Sequence, residues 1–170
     1  MKKVSFRNDV LPLKNELFRL ALRITLNRAE AEDIVQDTLI KVWNHRFEWE
    51  NIESIEAFSL TVCRNLSLDR IKKKENTNDS LEDVKVAEPL SSSNPQDRMI
   101  AEDKFNLVKQ IVDGLPEKQR SCIQLRDFEG KTYKEIAEIL EITEEQVKIN
   151  IFRARQTVKQ RYLKLDNYGL

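Results

Sequence analysis

Two capping signals set eleven residues apart constrain the fold of this chain more than any other feature. In "KTYKEIAEILEITEEQVKINIFRAR", Lys131 to Arg155, Thr132 is followed three residues later by Glu135, and Thr143 likewise by Gln146. Each pair forms a capping box: the threonine hydroxyl accepts from the amide three residues on, while the longer side chain reaches back to the threonine's own amide. Helices therefore start at both points, and only "EIT" separates "YKEIAEIL" from the second one. That is the spacing of a helix-turn-helix, whose second helix enters the major groove of DNA.

The second helix has the faces such a role needs. At about 100° per residue, Val147, Ile151, Ala154, Val158 and Leu165 fall on one inward side. Glu145, Ile149, Phe152 and Gln156 fall opposite, bordered by Lys148 and Arg153. A bundle helix with a solvated basic surface has the same charge pattern, but it does not normally expose Ile149 and Phe152 together. In a major groove these two can meet thymine methyls while Lys148 and Arg153 reach base edges or phosphates. Arg155, Lys159 and Arg161 suit the sugar–phosphate backbone.

The rest of the chain is helical by composition. Three glycines and four prolines in 170 residues leave few tight turns, and Leu, Ile, Glu, Lys, Arg and Gln are good helix formers. The fold class expected is all-α. Net charge is zero, but it is partitioned. Residues 1–74 hold 14 basic against 11 acidic groups, 75–102 hold 2 against 7, and 103–170 hold 13 against 11. The acidic stretch "ENTNDSLEDVKVAEPLSSSNPQD" has no apolar stripe, two prolines and a serine run. It reads as a flexible linker over 75–97 joining two small helical domains, 1–74 and 98–170. A structureless loop of that length is uncommon inside one compact domain.

Three helices are expected in the first domain. Val10, Leu13, Leu17, Leu20 and Ile24 mark one that stops near Asn27, and Asn27 can cap the next. There Ala31, Ile34, Val35, Thr38, Leu39 and Val42 share a face, with Asp33, Asp37, Ile40 and Asn44 opposite and Gln36 beside them. That outer face is either simply solvated or a docking surface for a partner protein. After the loop "RFEWENIE", Ser54 can cap a third helix with the stripe Ile55, Phe58, Val62 and Leu66. It ends in Arg70, Lys72, Lys73 and Lys74, with Arg64 upstream. Four cations exceed what one helix C-terminus needs and suit a phosphate backbone. A fourth helix runs through Met99, Ile100, Phe105, Val108 and Ile111, and Pro116 and Gly130 fit the start and stop of the next.

Other function classes find little support. Cys63 and Cys122 stand far apart and His45 has no partner in sequence, so structural thiols are expected, with no metal site and no cofactor. No paired acid and base or phosphate-cradling glycine loop points to an enzyme. No apolar run approaches the ~20 residues of a membrane span, so no membrane insertion and a cytoplasmic location are expected.

Together "AEDIVQDTLIKVW", "AFSLTVCRNLSLDRIKKK" and "LPEKQRSCIQLRDFEGKTYKEIAEILEITEEQVKINIFRAR" resemble a bacterial RNA polymerase sigma factor of the extracytoplasmic-function type, in order and spacing, over nearly the whole chain. Such proteins keep sigma regions 2 and 4 joined by a variable linker. The resemblance implies core RNA polymerase and promoter DNA as partners, together with an anti-sigma factor. It implies that Asp33, Gln36, Asp37 and Ile40 face the polymerase. It also implies that the loop from Phe47 to Glu53 and the helix from Ser54 to Lys74 melt the promoter −10 element. Stacking and polar edges for a flipped base would come from Trp49, Asn51, Arg64 and Asn65, with Arg70, Lys72 and Lys73 on phosphates. Trp49 suits a core position equally well. For the −35 element the resemblance implies Lys148, Ile149, Phe152 and Arg153 near the bases. The chain departs from the common family pattern at Ile149 and Asn150, and an apolar Ile149 beside Phe152 suits a thymine-rich element.

Overall fold

The structure, a computed structural model, describes residues 3–77 and 96–166, and for 77, 96–101 and 166 the backbone alone. Among the described residues there are seven α-helices: α1 (Lys14–Thr25), α2 (Arg28–Asn44), α3 (Ile55–Thr77), α4 (Gln96–Asp113), α5 (Glu117–Ile123), α6 (Tyr133–Leu140) and α7 (Glu144–Asp166). Helices α3 and α4 extend into the stretch read as a linker, most of which lies outside the described residues.

Local chemistry sets the boundaries. Leu26 adopts a left-handed backbone (φ 58°) that ends α1, and the Asn27 side chain accepts from the Glu30 amide at 3.0 Å to open α2. Ser54 Oγ accepts from the Ala57 amide at 3.1 Å ahead of α3. Both capping boxes form as expected. Thr132 and Glu135 exchange bonds of 2.8 and 3.0 Å, and Thr143 and Gln146 exchange bonds of 3.0 and 3.1 Å. Between them Glu141, in the left-handed region (φ 58°), turns the chain from α6 into α7. Pro116 sits one residue earlier than a first helical position, as the N-cap of α5. A π-helical turn, Gln124–Phe128, prolongs α5 up to Gly130, whose φ of +74° is open to glycine at little cost.

Helices α1, α2 and α3 pack as one group, and α4, α5, α6 and α7 as another. The sequence suggests two bodies on a tether; the structure brings them together into a shared core. Leu17, Leu20, Ile34, Leu60 and Cys63 of the first group join Cys122, Leu125, Ile136, Ile139 and Leu140 of the second in one buried cluster. Helix α3 is the cause, because it is covered by α1 and α2 on one side and by α6 on the other. Its buried residues are Ala57, Ser59, Leu60, Val62, Cys63, Arg64 and Ser67, whereas Ile55, Phe58 and Leu66 of the expected stripe are only half-buried. Ser59 and Ser67 satisfy their hydroxyls on the carbonyls of Ile55 and Cys63, both at 2.8 Å, which lets polar residues sit inside. Burial pushes the thiols of Cys63 and Cys122 up to about 12, so both stay protonated.

Two stability effects follow from this packing. Leu60→Ala is expected to cost about 2–5 kcal/mol in chemical denaturation, because Leu60 is fully buried in the shared core. Thr143→Ala is expected to cost about 1 kcal/mol, because only one cap is lost.

Candidate nucleic-acid interface

The last helix presents the face its sequence implies. Val147, Ile151 and Ala154 are buried against the rest of the second group, while Ile149 and Phe152 are 45% and 63% exposed. Glu145, Lys148, Arg153 and Gln156 surround them on the exposed side. Lys148 Nζ lies 5.7 Å from the centre of the Tyr133 ring, which steadies its position at the edge of this face. Arg155 differs from expectation. Its guanidinium is bonded through two nitrogens to the Asp127 carboxylate, so in this state it braces α7 against the turn after α5 and is not poised for phosphate. That bond raises the Arg155 pKa further.

On α2 the outer face is formed as the spacing requires. Asp33, Gln36 and Asp37 are exposed, as is the large apolar side chain of Ile40. Arg70 of α3 reaches across, with Nη2 3.1 Å from Asp33 Oδ2 and 3.5 Å from Asp37 Oδ2. A residue assigned to DNA phosphate thus neutralises the acidic face in this state. Exposed pairs of this kind are worth about 0–1 kcal/mol and are easily exchanged.

The loop between α2 and α3 separates the candidates further. Trp49 is buried among Val10, Val42 and their neighbours, and its indole N–H donates to the Val42 carbonyl at 3.1 Å. It is a core residue, 8% exposed, that also borders the cavity beside Trp43 and Phe47. Asn51 and Asn65 are exposed, as are Lys72 and Lys73. Arg64 is 7% exposed: its Nε and Nη2 donate to the two carboxylate oxygens of Glu117 on α5, at 3.1 and 2.9 Å.

A feature missed from the sequence lies beside Trp49. The Arg46 guanidinium lies between two rings, 4.4 Å from the centre of Trp43 and 4.5 Å from that of Phe47, and Phe47 is 83% exposed. With Phe6, Glu50 and Ile52 these residues line a cavity of about 1110 Å³. Stacked rings and a guanidinium form a surface on which an unpaired base can lie. The signal was present as Trp43, Arg46 and Phe47 at positions i, i+3 and i+4. A second concavity, of about 530 Å³, opens between α4 and α7 and is walled by Phe105, Val108, Val112, Ile123, Phe128 and Val158.

Polar contacts across the two groups are numerous. Arg19 donates to both oxygens of Glu129 at 2.6 and 2.8 Å, and Arg23 donates to Asp113 at 2.9 Å and to Gln124 at 2.8 Å. Lys131 Nζ sits 2.9 Å from Glu16 and 2.7 Å from Glu56. Burial alone would raise the Glu129 carboxyl, but the Arg19 bonds outweigh it and leave it lowered. The Glu135 carboxyl is also lowered, chiefly by the Thr132 amide it accepts from.

Comparison with known proteins completes the site. The model of "Sigma-70 region 2" matches residues 10–77 and that of "Sigma-70, region 4" matches residues 105–158. The chain is 28% identical to ECF RNA polymerase sigma factor SigW of Bacillus subtilis (strain 168), over 92% of this chain and 88% of that protein. It is 26% identical to SigM of the same organism, over 87% of this chain and 89% of that protein. The fold is similar to that of the sigma factor RpoE from Bartonella quintana, solved in complex with the anti-sigma factor NepR. There the TM-score is 0.74 and the identity 25%, over 95% of this chain and 98% of that one.

A pH dependence follows from the lowered carboxyls. Their contribution to stability is complete above the ordinary value of 4.5 and is lost as pH falls through their lower folded values. Thermal unfolding midpoints are therefore expected to hold between pH 5 and 7 and to drop below about pH 4.5. Arg19→Ala is expected to flatten that drop, since Glu129 then loses its partner.

Proposed function

The chain belongs to the sigma-70 family as an RNA polymerase sigma factor of the extracytoplasmic-function type, and we propose a division of labour between its two helical groups in promoter recognition. It is not an enzyme: it acts in promoter recognition and transcription initiation, with core RNA polymerase and promoter DNA as its partners. The first group docks on the polymerase through Asp33, Gln36, Asp37 and Ile40. A ring of carboxylates around an exposed isoleucine combines charge steering with apolar burial.

The −10 element is held by the cavity beside Arg46 and Phe47. A non-template base leaves the stack and lies on the Phe47 ring, with Asn51 and Asn65 offering hydrogen bonds and Lys72 and Lys73 holding phosphates. Trapping unstacked bases lowers the cost of strand opening. In the second group Lys148, Ile149, Phe152 and Arg153 enter the −35 major groove. The single observation that carries this reading is the joint exposure of Ile149 and Phe152 on a helix entered through a capping box. An apolar pair left in water at that position has a natural use against thymine methyls.

Mildly basic halves imply weak, salt-sensitive binding to DNA by the free protein, and tight recognition only on the polymerase. The RpoE relative was solved with the anti-sigma factor NepR, and an inhibitor of the same kind fits this chain, whose binding faces a single partner can cover. Work of this kind places the protein in the cytoplasm. Among the described residues, no helix is long and apolar enough to cross a membrane.

Run-off transcription with core polymerase tests the reading. Transcripts are expected to start at discrete promoters only when the chain is added. Asp33→Asn with Asp37→Asn is expected to abolish co-elution with the polymerase while leaving the helical signal unchanged. Phe152→Ala is expected to lose about 1–3 kcal/mol of discrimination at one or two −35 positions, read by promoter mutagenesis. Unaltered polymerase binding in the double variant would remove the α2 face from the account.

A further inference from the structure

Several carboxylates of the second group have a settled partner. At the seam where the two groups meet, Asp113 is bonded to Arg23, Glu117 to Arg64 and Glu129 to Arg19. Asp127 holds Arg155, and Glu135 closes the capping box of α6. Glu145 is different. It is exposed, and among the described residues no hydrogen bond or ion pair reaches its carboxylate. It stands in the first turn of α7, four residues before Ile149, seven before Phe152 and eleven before Gln156. At about 100° per residue, these four side chains lie within about 60° of one another around the helix axis.

A carboxylate on this stripe needs a reason. An acidic residue in a first turn complements the helix dipole, but Glu144 supplies that charge from about 100° away, outside the stripe. In a groove walled by phosphates a bare carboxylate is repelled unless a base edge gives it a hydrogen bond. The neighbouring amides are already committed. Gln146 Oε1 accepts from the Thr143 amide at 3.0 Å, and Asn150 Nδ2 donates to the Gln146 carbonyl at 2.8 Å. Glu145 is therefore the polar group of the stripe in the N-terminal turn, the part of a recognition helix that contacts base edges.

The chemistry of the major groove narrows its partner. Only cytosine N4 and adenine N6 donate hydrogen bonds there. Both oxygens of a carboxylate accept and neither donates. Against adenine the second oxygen would face the N7 lone pair, whereas cytosine sets no acceptor on its own edge beside the amine.

We propose that Glu145 is a specificity-determining residue of the −35 interface, accepting a hydrogen bond from cytosine N4. The inference rests on the promoter-reading assignment and names a base that the assignment leaves open. Ile149 follows about 6 Å further along the helix axis, so the cytosine stands within about two base pairs of the thymine that Ile149 meets. A site without that donor leaves the carboxylate unpaired among phosphates. Glu145 thus rejects wrong sequences as well as accepting the right one.

Selection from a promoter library randomised across the −35 element, with the full chain on core polymerase, tests this assignment. The wild-type chain is expected to select cytosine at one position by roughly tenfold over other bases. Glu145→Gln is expected to move the preference there to adenine, whose N6 and N7 suit an amide. Glu145→Ala is expected to lose the preference at that position alone and to bind unrelated duplex more tightly, since a repelled charge is gone. Both variants are expected to keep the wild-type helical signal, because the side chain is exposed. Unchanged base preference in both would overturn the inference. So would a loss spread evenly over all sequences, or a loss of helical signal, because the carboxylate would then serve the helix and not a base. If Phe152→Ala alters the selected motif and neither Glu145 variant does, the inference fails while the promoter-reading assignment stands. A wild-type chain that selects no motif on the polymerase would defeat both.

Discussion

Burial of α3 on both sides is the constraint from which the rest of the structure follows. One side, through Leu60 and Cys63, closes the three-helix group; the other, through Thr61 and Arg64, receives the second group. A helix in that position can carry little one-sided apolar pattern, and it does not: serines, a cysteine and an arginine occupy buried sites along it. Each polar group inside is satisfied, the hydroxyls on carbonyls one turn back and Arg64 on a bidentate carboxylate. Removing Glu117 would leave a buried cation, which is far costlier than losing a surface pair.

What the sequence made legible were elements whose reason is local. The capping boxes of α6 and α7, the Asn27 cap and the outward faces of α2 and α7 all depend on residues within a turn or two of one another. Ile149, Phe152, Asp33 and Asp37 are therefore exposed as their spacing requires. Sequence alone could not show the seam, because its partners are 53 to 115 positions apart and no periodicity links them. Arg64, Arg70 and Arg155 were read as free for DNA, yet each is paired with a carboxylate whose proximity arises only on folding. Trp49 illustrates the other limit: composition suits it to either role, and its burial is decided by the neighbouring Val10 and Val42. Phe47, three residues past a helix end and held by the Arg46 guanidinium, presents the exposed ring instead.

These pairings share one property. Arg64, Arg70 and Arg155 each hold a carboxylate of the same chain. Internal pairing of cations with carboxylates suits a chain of zero net charge and discourages indiscriminate DNA binding.

The distance between the two helical groups tests this account most directly. Spin labels at the exposed positions of Lys41→Cys and Gln160→Cys read it by pulsed dipolar spectroscopy, both native thiols being buried. A single short separation is expected in the free chain, lengthening by tens of ångströms once core polymerase and promoter DNA are present. The same short separation in the complete promoter complex would contradict it.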